Sequence, residues 1–250
     1  MRETPGLKEG HALEIALVGS SPSLKFDPKR KHGDRTEQEL VDSLDTPTCI
    51  QIVKAQQDDI EKRASMANES NPIFAHTEYS THPTKKYLAA LYHEVCILLK
   101  FDEIDSKNLR IYNSVDTMLD KMGVDFFIEF DPSLLRKEQF GDIGRITEKL
   151  YVSADVTLDL RKAGGTKKTD VVLPYENIPE EEDLEAAGKA DAKKIIRALV
   201  DKIRKLTGSI YEPPILKQLE HVRQIAPASR IDTEIEEIRH GVHIRRKKVA

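Results

Sequence analysis

The sequence predicts a mixed α/β fold of the α+β kind, with a central mixed sheet, flanking helices and extended or helical terminal arms. Three observations lead there. Two long stretches, 84–100 and 183–206, repeat apolar residues at helical spacing. Two segments between them, 123–130 and 151–162, alternate in the period of a strand. Apolar residues are 39% of the 250 and charged residues 33%. That apolar share is low for one compact globule, so part of the chain is expected to be extended or peripheral.

The elements follow in order. Residues 1–35 read as irregular apart from a short strand over Ala12 to Val18, and Ser20-Ser21-Pro22-Ser23 is a loop signal. Thr36 to Leu44 and Ile50 to Met66 have helical composition. Asn68 to Thr84, rich in Asn, Ser, Thr, His and Pro, reads as a connector. The helix that follows places Tyr87, Leu88, Leu91, Val95, Leu98 and Leu99 on its stripe, with Thr84 as its expected N-cap and Glu94 set into the apolar run. Asn108 to Asn113 is a short strand, and Val115 to Lys121 a turn or short helix. The two alternating strands come next, separated by residues 131–149 with a short helix around Leu134 to Phe140. After the turn Ala163-Gly164-Gly165-Thr166, a strand returns over Lys168 to Tyr175. The long helix carries Leu184, Ala187, Ile195, Leu199, Ile203 and Leu206 as its stripe. Its acidic start, basic end and Gly208 suit the helix dipole and a C-cap. Pro213-Pro214 opens a further helical stretch to Ile225, and Ser229 to His240 is another. The expected division is an N-terminal extension over 1–83, an α/β core over 84–207, and a helical C-terminal extension with a basic tail over 208–250.

Several classes fall away on composition. No apolar run approaches the ~20 residues that span a bilayer, and the amino terminus lacks the apolar core of a signal peptide. Cys49 and Cys96 make neither a disulfide framework nor a cysteine zinc site. A cytoplasmic or otherwise intracellular protein without membrane association is expected. No phosphate-binding glycine loop and no histidine pair at zinc spacing occurs. The net charge is -4, but the tail His243-Ile244-Arg245-Arg246-Lys247-Lys248 is strongly basic, a source of phosphate affinity or simply a solvated end.

Acidic residues stand out on the two alternating strands. In Gly123-Val124-Asp125-Phe126-Phe127-Ile128-Glu129-Phe130, Asp125, Phe127 and Glu129 share a face. In the second strand Asp155, Thr157, Asp159 and Arg161 share one face, and Val156, Leu158 and Leu160 the other. A carboxylate row beside Lys or Arg can hold a divalent cation near a phosphate. The same alternation also describes a solvent-facing sheet face. If the strands pair antiparallel, Asp125 faces Asp155 or Asp159, which have the same parity. Asp116 and Asp120, four apart, read as capping or solvated residues.

The stretch from Val115-Asp116 through Asp120, followed by Gly123-Val124-Asp125-Phe126-Phe127-Ile128, resembles the second motif of the PD-(D/E)xK nucleases. The restriction enzymes and Holliday-junction resolvases share that core. The resemblance covers residues 84–207 and implies a restriction-endonuclease-like core. It implies metal-dependent hydrolysis of DNA phosphodiesters, with Mg2+ or Mn2+ as cofactor. Asp125 matches the first metal-binding carboxylate and Asp155 the second, with Glu94 or Asp159 assisting. The family's lysine position holds Thr157, a departure, because threonine brings no positive charge to the phosphate. Arg161, Lys162 or Lys149 would have to supply it, and Lys162 or Arg161 would contact the scissile phosphate. The alternative expectation is an inactive relative serving as a nucleic-acid-binding or assembly subunit of a larger particle, such as a viral one, with protein partners engaged through the terminal arms.

Overall fold

The computed structural model describes residues 5–20, 24–66, 83–106, 108–141, 143–144, 146–159, 169–209 and 212–225. The expected helix at Ser229 to His240 and the basic tail lie outside the described residues. The chain divides into two compact units, residues 1–211 and 212–250. The second contains the helix α8 (Pro214–Ile225), which buries Ile215 and Leu219.

The first unit is a mixed α/β structure on a four-stranded sheet. Strands β3 (Arg110–Asn113), β4 (Phe126–Phe130), β5 (Leu150–Thr157) and β6 (Val171–Pro174) lie in that spatial order. The first three are antiparallel, with Asn113 opposite Phe126 and Phe126 opposite Ala154. β6 joins β5 in parallel, Ala154 facing Val171. A two-stranded hairpin, β1 (Lys31–His32) with β2 (Arg35–Thr36), stands apart and leads into α2 (Glu37–Asp42), whose N-cap Thr36 forms a reciprocal capping box with Glu39.

Side-chain alternation on β4 assigns the two layers. Phe127 stacks on Tyr112 with ring centroids 4.8 Å apart, in a cluster with Cys49, Ile50 and Val53 of α3 (Thr46–Met66). Phe126 points the other way, meeting the edge of Tyr87 from α4 (Lys86–Leu99) at 6.5 Å. α4 packs along α7 (Leu184–Thr207) in the most extensive helix–helix contact. Gly188 permits that contact: a Cβ there would run into the Tyr87 carbonyl and lie 3.0 Å from Leu91 N. Inside it, the buried Asp191 carboxylate accepts the hydroxyls of Tyr87 and Tyr175 and pairs with Lys194. Two short helices, α5 (Glu103–Ser106) and α6 (Lys137–Phe140), fill the connections.

β6 begins opposite Ala154, so among the described residues the start of β5 has no strand paired on that edge. Side chains take the place of the missing ladder. Asp170 accepts the Ser153 N–H at 2.9 Å, and Lys202 of α7 donates to the Tyr151 carbonyl.

The structure corrects several local expectations. Ala12 to Val18 is not a strand; it belongs to α1 (Pro5–Leu17), whose buried Leu13 and Leu17 sit four residues apart on one helical face. α1 packs on β5 and α4. The first alternating segment becomes a strand only at Phe126, because Gly123 (φ 78°) closes a 3-10 turn over Asp120–Met122. The N-cap of α4 is Lys85, with no side-chain cap bond, not Thr84. Leu206 lies on the exposed surface, at the edge of a cleft. The polar face of β4 and β5 is not solvent-facing: Asp125, Glu129, Ser153, Asp155 and Thr157 are all buried.

Candidate metal centre

Asp125 precedes β4 by one residue and is locked there by its backbone. Its N–H donates to Ala154 O at 2.9 Å, and its carbonyl accepts from Ser114 N–H at 2.9 Å. The β4–β5 register, carried one step back from Phe126 and Ala154, sets Asp125 opposite Asp155. Of the two partners that parity allowed, the register selects this one. One Asp125 oxygen accepts the Val156 N–H at 2.6 Å.

Two further carboxylates converge on Asp125. Glu14 projects from α1, which Leu13, Leu17 and Val18 anchor in the core. The Val18 carbonyl is held by Asn113 Nδ2 at 3.2 Å, which ties the end of α1 to β3. Asp120 comes from the 3-10 turn before β4, and its carboxylate accepts Asp116 N–H at 3.0 Å. Asp116 occupies the left-handed region (φ 69°), which aspartate tolerates better than most residues. One oxygen each of Glu14, Asp120 and Asp125 lie within 4.8 Å of one another. Asp155 stands beside this trio, and its charge acts on both Asp125 and Glu14.

Like charges at this spacing, out of water, resist ionisation. Burial pushes the Asp125 carboxyl well above the ordinary range, and the charges of Glu14 and Asp155 push it further. Burial also raises Glu14, with Asp120 and Asp155 adding to the rise and a hydrogen bond from His11 opposing it. Asp120 is raised by burial, against the opposing pull of Lys121. The donor set is all oxygen, three converging carboxylates with Asp155 beside them. That is the chemistry of a hard divalent cation such as Mg2+, Mn2+ or Ca2+.

Of the other expected site residues, the described ones are not part of the converging group. Glu94 lies half-buried on α4, where it faces Lys189 of α7, and is not part of the converging group. Asp159 follows the end of β5 and gives its N–H to Thr157 Oγ1 at 3.1 Å. Arg161 and Lys162 lie outside the described residues. Lys149 pairs with Glu129 at 3.4 Å and Asp131 at 3.1 Å. It sits at the opposite end of β5, roughly 20 Å along the strand from Asp155. Glu14 and His11 carried no signal while one read as strand and the other as irregular; as a helix, their i, i+3 spacing would have paired them.

A separate cleft of ≈ 1040 Å³ opens between the start of α3, the start of β5 and the end of α7. None of the four acids lines it. Among the described residues, no helix is long and apolar enough to cross a membrane. No known protein family, no curated protein and no solved structure matches this chain.

Proposed function

We propose that this chain is a divalent-cation-dependent nuclease that hydrolyses DNA phosphodiesters, with its metal held by Asp125, Asp155, Glu14 and Asp120. The observation that carries the reading is the convergence of Glu14, Asp120 and Asp125 within 4.8 Å, beside Asp155 on the neighbouring strand. The order of helix α4, strands β3 to β6 and helix α7 supports a restriction-endonuclease-like core, as does the position of the first Asp at the mouth of β4. In this reading Glu14 of α1 takes the part expected of Glu94. Bound Mg2+ or Mn2+ would supply an activated water and offset charge developing on the phosphate. The chain's own residues set the rest. The Val156 N–H fixes the Asp125 carboxylate, the β4–β5 register holds Asp155 against it, and α1 delivers Glu14.

A second reading is favoured by one observation. Thr157, at the family's lysine position, is buried, uncharged and engaged by the Asp159 N–H. A metal-stabilised nucleic-acid-binding or assembly subunit would need no cation there. Nicking of supercoiled plasmid in Mg2+ or Mn2+ tests the first reading. Wild type should nick and Asp125→Asn should lose the rate by on the order of a thousandfold. Absence of cleavage of supercoiled, branched and single-stranded DNA by a wild type that binds the metal would favour the second.

A further inference from the structure

Exposure differs among the groups of the acid centre. Asp125 and Asp155 are buried. The side chains of Glu14 and Asp120 are 19% and 15% exposed, and those of His11 and Lys121 are 46% and 51% exposed. The two most exposed groups, His11 and Lys121, therefore lie beside the two less buried carboxylates, on the solvent side of the centre. His11 Nδ1 lies 3.1 Å from Glu14 Oε2, and its Nε2 lies 3.9 Å from Asp116 Oδ1. Lys121 Nζ lies 3.8 Å from Asp120 Oδ2.

Charge makes that placement consequential. Four carboxylates around one dication leave a negative surplus, and a phosphodiester anion approaching the cation meets that surplus first. A positive group at the mouth is needed to offset it. Thr157 brings none. Lys149 is committed to Glu129 and Asp131, far along β5. Arg161 and Lys162 lie outside the described residues; among the described ones, Lys121 fits the need. Its contact with Asp120 is too long for a hydrogen bond and half in water, so it can turn onto a phosphate without stripping a buried pair.

We infer that Lys121 contacts the substrate phosphate, and that the substrate reaches the acid centre past His11 and Lys121, between α1 and the turn before β4. The inference rests on the metal-nuclease reading. It also separates the substrate path from the ≈ 1040 Å³ cleft, where Lys149 and Lys202 are held by carboxylates and Lys205 is a further exposed lysine.

The test uses the full chain as wild type, Lys121→Ala, Lys121→Arg and Lys205→Ala. Plasmid nicking in Mn2+ is measured over a range of salt, with a manganese titration of each protein. All four should bind Mn2+ alike. Lys121→Ala should nick on the order of a hundredfold more slowly. Its log–log salt dependence should be flatter by about 0.9, the loss of one phosphate contact. Lys121→Arg should keep most of the rate, and Lys205→Ala all of it. Wild-type nicking by Lys121→Ala would overturn the inference and leave the metal reading standing. So would an equal loss in Lys205→Ala or a loss of Mn2+ binding in Lys121→Ala alone; a wild type that binds Mn2+ without nicking would overturn the inference and the nuclease reading, leaving only the metal site. A wild type that binds no Mn2+ would bring both down.

Discussion

Asp125 carries a conflict that its surroundings do not relieve. Its carboxylate is buried, faces Asp155 and Glu14, and has one backbone N–H as its described donor. A carboxyl whose folded pKa lies above its unfolded value binds more protons in the native state through that window. Stability therefore falls as pH rises from the ordinary carboxylate range upward. Glu14 and Asp120 are shifted in the same direction, so the three act together. The metal-free protein should lose melting temperature through this centre as pH rises above the ordinary carboxylate range of about 4, and Mn2+ should recover it most at the higher pH. Asp125→Asn keeps an oxygen for the Val156 N–H and removes the charge. It should stabilise the metal-free protein at pH 7 by about 1 kcal/mol and abolish the Mn2+-induced rise. Thermal melts by circular dichroism across pH, with and without Mn2+, check both. A destabilised Asp125→Asn with an intact metal response would show that the carboxylates are not in mutual repulsion.

At the scale of elements, the α4–α7 pair is the joint most open to a single change. Gly188→Ala would force its methyl against the Tyr87 carbonyl, separate the helices and loosen the Asp191 pairing with Tyr87 and Tyr175. A loss of on the order of 2–3 kcal/mol is expected in urea unfolding. A change within 0.5 kcal/mol would mean that the helices shift apart without penalty. The long helices and the sheet strands were legible in the sequence, because 3.6-residue and two-residue periods survive burial on both faces. Asp125 and Asp155 were legible for the same reason: a one-residue register slip would reverse a whole face. α1 was not. Ala12, Leu13, Ile15, Ala16, Leu17 and Val18 form a short apolar run whose period does not distinguish helix from strand. Docking on β5 and α4 decides it. Glu14 and His11 become neighbours of Asp120 and Asp116 only after that docking. Asp120 was visible as a capping residue, and its second contact, with Glu14 and Asp125, is purely tertiary.

At the scale of the whole molecule, the first compact unit draws its acid centre from three separated stretches of chain: α1, the turn before β4, and the β4–β5 pair. An arrangement that concentrates buried negative charge at the meeting point of independent elements makes physical sense when a cation binds there and repays the repulsion. That is the central claim. The most direct measurement is isothermal titration of Mn2+ into wild type and into the Asp125→Ala, Asp155→Ala double variant, with circular dichroism confirming that both are folded. Wild type should give a saturable binding heat and the double variant none. Equal heats from the two folded proteins, or no heat from either, would contradict the account.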